Sequence, residues 1–191
     1  MSPARLAGAG VARVRRHRAA GLAPESLFNA GRAVRGRWVY TPPGRLAGAD
    51  GASLTLIGIE VVNGSASSGG GLLVHGAGSA LLMERSTVRD SVATGSEYPD
   101  GGGGLAVQPG ARAVLVESTI ADCTAVVAGG GVCLEQANIS LHGSRVERCR
   151  AALYGGGIEA YDRSHVDLLE GSVISDCSSG EYTGGLELYF D

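Results

Sequence analysis

The chain has 191 residues, 44% of them hydrophobic, with 32 glycines and only 5% aromatics. That is enough apolar chain for one domain with its own core. The glycines fall in clusters rather than at every third position, which excludes collagen, and no apolar run approaches the roughly 20 residues of a membrane span. The net charge of −3 divides unevenly, with nine Arg against Glu25 and Asp50 in residues 1–50 (+7) and seven Arg against seventeen acids in 51–191 (−10); such an acidic body argues against nucleic acid as a partner, because phosphate binding needs a basic face.

Residues 1–24 hold Arg5, Arg13, Arg15, Arg16 and Arg18 and no acid. This segment is expected to be disordered or to serve targeting, although no apolar stretch follows the arginines as in an ordinary signal peptide. Residues 25–50 are expected to form an N-terminal cap or a first partial coil. Leu27-Phe28 and Trp38-Val39-Tyr40 supply its apolar bulk, and Pro42-Pro43-Gly44 marks a turn.

From residue 51 the chain repeats. Gly69-Gly70-Gly71-Leu72 returns as Gly102-Gly103-Gly104-Leu105, Gly129-Gly130-Gly131-Val132, Gly155-Gly156-Gly157-Ile158 and Gly184-Gly185-Leu186, in steps of 33, 27, 26 and 28 residues. The long first step contains an insertion around Gly95-Ser96-Glu97-Tyr98-Pro99-Asp100. A second marker keeps the same period: Ser86-Thr87-Val88-Arg89-Asp90-Ser91, then Ser118 to Cys123, Ser144 to Cys149 and Ser172 to Cys177.

After each glycine cluster the pattern alternates with period 2. One face carries Leu72, Leu105, Val132, Ile158 and Leu186, followed by Val74, Val107, Leu134, Ala160 and Leu188. Between them lie Leu73, Ala106, Cys133, Glu159 and Glu187, expected to face solvent. A second strand is expected to align Met83, Leu115, Leu141 and Leu169, and a third Val88, Ile120, Val146 and Ile174. Three strands in about 26 residues leave no room for a helix, which excludes leucine-rich, ankyrin and tetratricopeptide arrays. The fold class expected is all-β, a single-stranded parallel solenoid over 51–191 of about five coils of 26–33 residues, with aligned side chains filling a tube. The chain stops just after Gly184-Gly185-Leu186 opens a new coil, so the repeats are read as truncated, and end-to-end self-association through this uncapped coil is expected to be possible.

The glycine clusters and their second marker resemble the repeats of polymorphic outer membrane proteins, and more widely the pectate-lyase-like superfamily. The resemblance covers about 51–191. It implies a right-handed parallel β-helix, exposed at a cell surface or secreted. The second marker of those repeats is Phe-x-x-Asn. Here Val88, Ile120, Val146 and Ile174 stand for Phe, and Ser91, Cys123, Cys149 and Cys177 for Asn.

Four sets of residues invite a chemical reading. Ser91, Cys123, Cys149 and Cys177 share one position and read as an internal ladder of small side chains. A single disulfide between neighbours and a redox or metal-binding column are the alternatives, and no CxxC or nearby His completes a zinc set. Cys133 is expected to be a lone exposed thiol. Asp90, Asp122 and Asp176, interrupted by Arg148, read as turn residues, with Ca²⁺ binding as the weak alternative. Val74-His75-Gly76 and Leu141-His142-Gly143 are expected at turns. Tyr154, Tyr161, Tyr182 and Tyr189 cluster near the end of the chain, and Tyr154, Glu159, Tyr161, Asp162 and His165 are the candidate carbohydrate-binding residues.

No catalytic set is complete: the clustered Asp pairs, Asn-Thr-Asp and Gly-His-Gly segments of the polygalacturonase type are missing. The expectation is a non-enzymatic structural or adhesive module with no cofactor and a protein or glycan surface partner. A carbohydrate-binding or carbohydrate-active protein is the alternative.

Overall fold

The computed structural model describes the backbone of residues 35–41 and 45–189 and the side chains of 51–189. The Arg-rich segment 1–24, Leu27-Phe28, Pro42-Pro43-Gly44 and the side chains of Trp38, Val39 and Tyr40 lie outside it. All regular structure among the described residues is β-strand, and no helix among them is long and apolar enough to cross a membrane.

Strand β1 (Arg35–Thr41) runs antiparallel to β2 (Arg45–Ile57), at the edge of the parallel stack. The first coil takes in Leu46, Ala47 and Gly48 of β2, which pair in parallel with the next coil and lie in the segment 25–50 expected as a cap or first partial coil. It continues through β3 (Glu60–Val62) and β4 (Ser65–Ala66). The second coil is β5 (Leu72–Val74), β6 (Ala80–Glu84), β7 (Thr87–Arg89) and β8 (Val92–Ala93). The third is β9 (Leu105–Val107), β10 (Arg112–Val116), β11 (Thr119–Ala121) and β12 (Thr124–Ala125). The fourth is β13 (Val132–Glu135), β14 (Asn138–His142), β15 (Arg145–Glu147) and β16 (Arg150–Ala151). The fifth is β17 (Ile158–Tyr161), β18 (His165–Leu169), β19 (Val173–Ser175) and β20 (Ser178–Ser179), after which β21 (Leu186–Tyr189) opens the next rung. The result is a parallel solenoid of about five turns.

The glycine-cluster register is the one the spacing gives: Leu72 pairs Leu105, Leu105 pairs Val132, Val132 pairs Ile158 and Ile158 pairs Leu186. Leu72, Val74, Met83, Val88, Leu115, Ile120, Leu141 and Val146 have no solvent exposure and belong to one continuous core inside the tube. Burial of each such side chain stabilises the fold by about 1.5–3 kcal/mol.

Three expectations need correction. Each coil has four strands rather than three, because two-residue strands (β4, β8, β12, β16, β20) form a sheet of their own. In the second column Leu141 pairs with Leu168, while Leu169 pairs with His142 and is 42% exposed. The corner after β18 has two residues, Glu170 and Gly171, before Ser172, whereas Gly143 alone precedes Ser144, and the sequence spacing absorbs this extra residue. Finally, the column read as solvent-facing is covered: Leu73, Ala106, Cys133 and Glu159 are all buried.

The corners explain the markers. Asn63, Asp90, Asp122, Arg148 and Asp176 each turn the chain at φ between 53° and 58°, a left-handed conformation that short polar side chains tolerate better than most. The glycine cluster has two separate causes. Gly102 has φ +70°, and a Cβ on Gly103 would lie 2.3 Å from the Thr124 carbonyl oxygen and 2.4 Å from that of Gly130. Only bare backbone fits where adjacent coils meet there.

Candidate functional site

The outward column of β13, β17 and β21 places Cys133, Glu159 and Glu187 in register. Alternation points these side chains out of the tube, but the turn segments ahead of each glycine cluster fold across them. Ala128 forms bridges with Gly101 and Tyr154, so these segments stack rung upon rung. Val127, Ala128, Cys133 and Tyr161, with Leu153 and Tyr154, make a small second core outside the tube.

Tyr98, Tyr154 and Tyr182 form the lid of this second core, and Tyr98 rests on the buried Tyr161. The insertion brings Tyr98 edge-on to Tyr154, ring centroids 5.6 Å apart, and against Tyr161 at 4.9 Å. Tyr154 stacks on Tyr182 at 4.6 Å. Such pairs add about 0.5–1.5 kcal/mol beyond area burial. Tyr161, a candidate carbohydrate-binding residue, is only 7% exposed, while Tyr98 and Tyr182 present open rings at 47% and 56%. Burial, then Glu159, raises the Tyr98 hydroxyl above the ordinary tyrosine range. Burial raises Tyr161 as well, with Cys133 and Glu135 adding to it.

Beneath the lid, Glu159 is 1% exposed and its Oε2 has no hydrogen-bond partner among the described residues. Burial first, and the neighbouring Glu187 second, push its carboxyl up to about 8. Glu187 is anchored differently: its Oε2 accepts the backbone N–H of Gly155 at 2.9 Å and of Thr183 at 3.3 Å. Cys133, expected as an exposed thiol, is buried, and its Sγ lies 3.7 Å from the Pro99 carbonyl oxygen of the insertion. Burial, with Glu159 next, raises this thiol, and an un-ionised thiol is a poor nucleophile.

Of the candidate carbohydrate-binding residues, the structure brings Tyr154, Glu159 and Tyr161 together. Asp162 occupies the next corner at φ +47°, where Gln136 Nε2 donates to it. His165 opens β18 on the adjoining face, with its Nε2 2.9 Å from Asp167 Oδ1. His75 directly follows β5, just ahead of the turn at 77–78, whereas His142 closes β14 and faces Glu170 at 3.6 Å. Tyr98 and Glu187 belong to the assembly as well, although neither is among the candidate carbohydrate-binding residues. The one trace of Tyr98 was the lengthened first step of the repeat.

Two of the corner acids, Asp90 and Asp122, are paired with arginines. Arg148 grips Asp122 with both ends of its fork, each at 2.9 Å, and reaches Glu147 as well. That grip holds the Asp122 carboxyl below the usual carboxylate range. Arg89 bridges Glu60 and Asp90. Among the described residues no group of three or more His, Cys, Asp and Glu is placed to hold a metal ion, so Asp90, Asp122 and Asp176 do not gather into one.

Inside the tube the sulfur column bonds to backbone. The thiols of Cys123, Cys149 and Cys177 donate to the carbonyls of Ala121, Glu147 and Ser175 at 3.1, 3.3 and 3.2 Å. Ser91 Oγ donates to the Arg89 carbonyl and accepts from Gly64 N–H. All four cysteines are free thiols, and contact with Cys123 raises Cys149 up to about 12.

With this geometry in view, the family described as right handed beta helix region matches residues 48–190, about three quarters of the chain. No curated protein and no solved structure matches it.

Proposed function

Because the chain belongs to the right-handed β-helix family, we propose that it is a non-enzymatic structural and adhesive module, displayed at a cell surface or secreted, with repeats of the polymorphic outer membrane protein type on a pectate-lyase-like scaffold. The observation that carries this reading is the Arg148–Asp122 pair. Asp122 is gripped by Arg148 of the next coil, Asp90 is paired with its chain neighbour Arg89, and Arg89 also reaches back to Glu60 of the coil before. A general acid or base needs a carboxyl free to exchange its proton with substrate, and carboxylates gripped in this way instead bind one coil to the next. The outward polar groups of β14 and β18 interact in the same manner, with Ser140 Oγ donating to Asp167 Oδ2 at 3.1 Å.

The open rings of Tyr98 and Tyr182, close to Glu181 and Glu187, favour carbohydrate binding as a second reading, since tyrosines stack on sugar rings while carboxylates accept from their hydroxyls. One experiment addresses both. The purified, folded chain is incubated with a panel of acidic polysaccharides, with and without Ca²⁺, and applied to a glycan array. The expected result is no turnover on any substrate. Turnover abolished by a chelator would overturn the proposal and return attention to Asp90, Asp122 and Asp176. Glycan binding lost in Tyr182→Ala would replace adhesion to protein with the second reading.

A further inference from the structure

Glu159 is buried to 1% exposure with an unpartnered Oε2. Buried polar groups in native proteins are almost always satisfied, and a lone buried charge is costly. Its surroundings offer no compensation. The strand below presents Cys133 in register and Glu135 beyond it, and the strand above presents Glu187 in register and then Tyr189. Its own strand adds Tyr161. The covering segments contribute Tyr98 and Asp100 from the insertion, Tyr154 from the turn, and Glu181 and Tyr182 beyond. Every one of these groups is neutral or acidic at neutral pH. A neutral carboxyl is compatible with this enclosure, whereas a carboxylate facing Glu187 is not.

We propose that Glu159 is a proton-operated latch: protonated, it lets the tyrosine lid close over the outward column, and ionised, it releases the lid from the strip of Val127, Ala128, Cys133 and Leu153 while the tube stays intact. The latch rests on this local geometry alone and is independent of the adhesive reading. The Glu159 O–H bond breaks, its proton goes to solvent, and no other covalent bond changes.

The direction follows from linkage. The closed lid holds Glu159 at about 8, against an ordinary value of 4.5 for an accessible glutamate. Between those values the closed form carries a proton that the open form lacks. The closed lid is therefore most stable below the lower value. It loses stability as pH rises, by up to about tenfold in the opening equilibrium per pH unit, and the loss levels off above the upper value.

The test is alkylation of the full chain by iodoacetamide at several pH values from about 6 to about 9, read at each cysteine by peptide mass spectrometry. Dividing the Cys133 rate by that of Glu159→Gln at the same pH cancels ordinary thiol ionisation. The expected ratio climbs by up to about tenfold per unit up to about pH 8 and then flattens, while Cys123 and Cys149 inside the tube stay protected. If Glu159→Gln lacks the native β circular dichroism, Glu187→Gln serves instead: without that charge the Cys133 rise levels off at lower pH and reaches a smaller size than in the parent chain. A ratio independent of pH would overturn the proposal, as would Cys133 and Cys123 becoming reactive together, because the event would then be unfolding of the coil.

Discussion

Replacing Ser118 with Ala removes two bonds from the inside of a corner. The Ser118 hydroxyl donates to the Val116 carbonyl at 2.8 Å and accepts the Ser86 N–H of the preceding coil at 3.1 Å. Its own N–H goes to Ser144 Oγ at 3.0 Å, so the serines form a chain of side-chain bonds running along the tube. With Ala the buried Ser86 amide loses its acceptor, a loss of about 1–3 kcal/mol. Urea denaturation followed by circular dichroism should show the midpoint falling with an unchanged slope. The sequence displayed these serines as a repeating marker but not what they bond, because a marker reports position and not partner. The same blindness explains Cys133 and Glu159. Alternation correctly places both outside the tube, but it carries no information about a cover contributed by residues that are distant in sequence.

At the scale of the element, the insertion from Gly95 to Asp100 decides what the outward column experiences. It is the one place where the repeat step stretches to 33 residues, and it supplies Tyr98 and the Pro99 carbonyl to the lid. Deleting 95–100, with Thr94 rejoined to Gly101, should make Cys133 reactive towards a thiol reagent at neutral pH while Cys123 stays protected. Equal protection of both thiols in the deletion variant would mean that the lid closes without the insertion. The longer strands were legible because five-residue segments such as Asn138–His142 alternate polar and apolar residues. Two-residue strands such as Val92–Ala93 are too short to have a period, and they are defined only by the neighbours that pair with them.

Across the whole molecule, burial thins along the axis. The interior positions of the second, third and fourth coils are closed, whereas Leu168 of the fifth coil and Leu188 of the rung that follows, in register with buried Leu141 and Ala160, are 41% and 48% exposed. A solenoid's stability is close to a sum of coil terms and nearest-neighbour interfaces, so a coil with one described neighbour opens more readily than one held from both sides. Amide hydrogen exchange should be slowest in β9–β16 and fastest in β18–β21, with protection graded along the chain. Uniform protection across all coils would indicate a single cooperative unit. The overall architecture was readable from sequence because two markers shared one period, which a sandwich of unrelated strands would not produce. The balance of +7 against −10 between the two parts of the chain remains visible only as composition, since the side chains of residues 1–50 lie outside the described structure.

The rung-to-rung register also bears on how such a gene can change. Every strand of β9–β12 meets its counterpart one coil back and one coil ahead, through the same pairings on both sides. Duplication or loss of a segment matching one step of 26–28 residues therefore creates no new kind of contact, whatever the point of recombination within the coil. A slip of one residue would instead set a polar side chain among Leu115, Ile120 and Val146. Selection on such a gene permits length to vary in whole coils and penalises fractions of one.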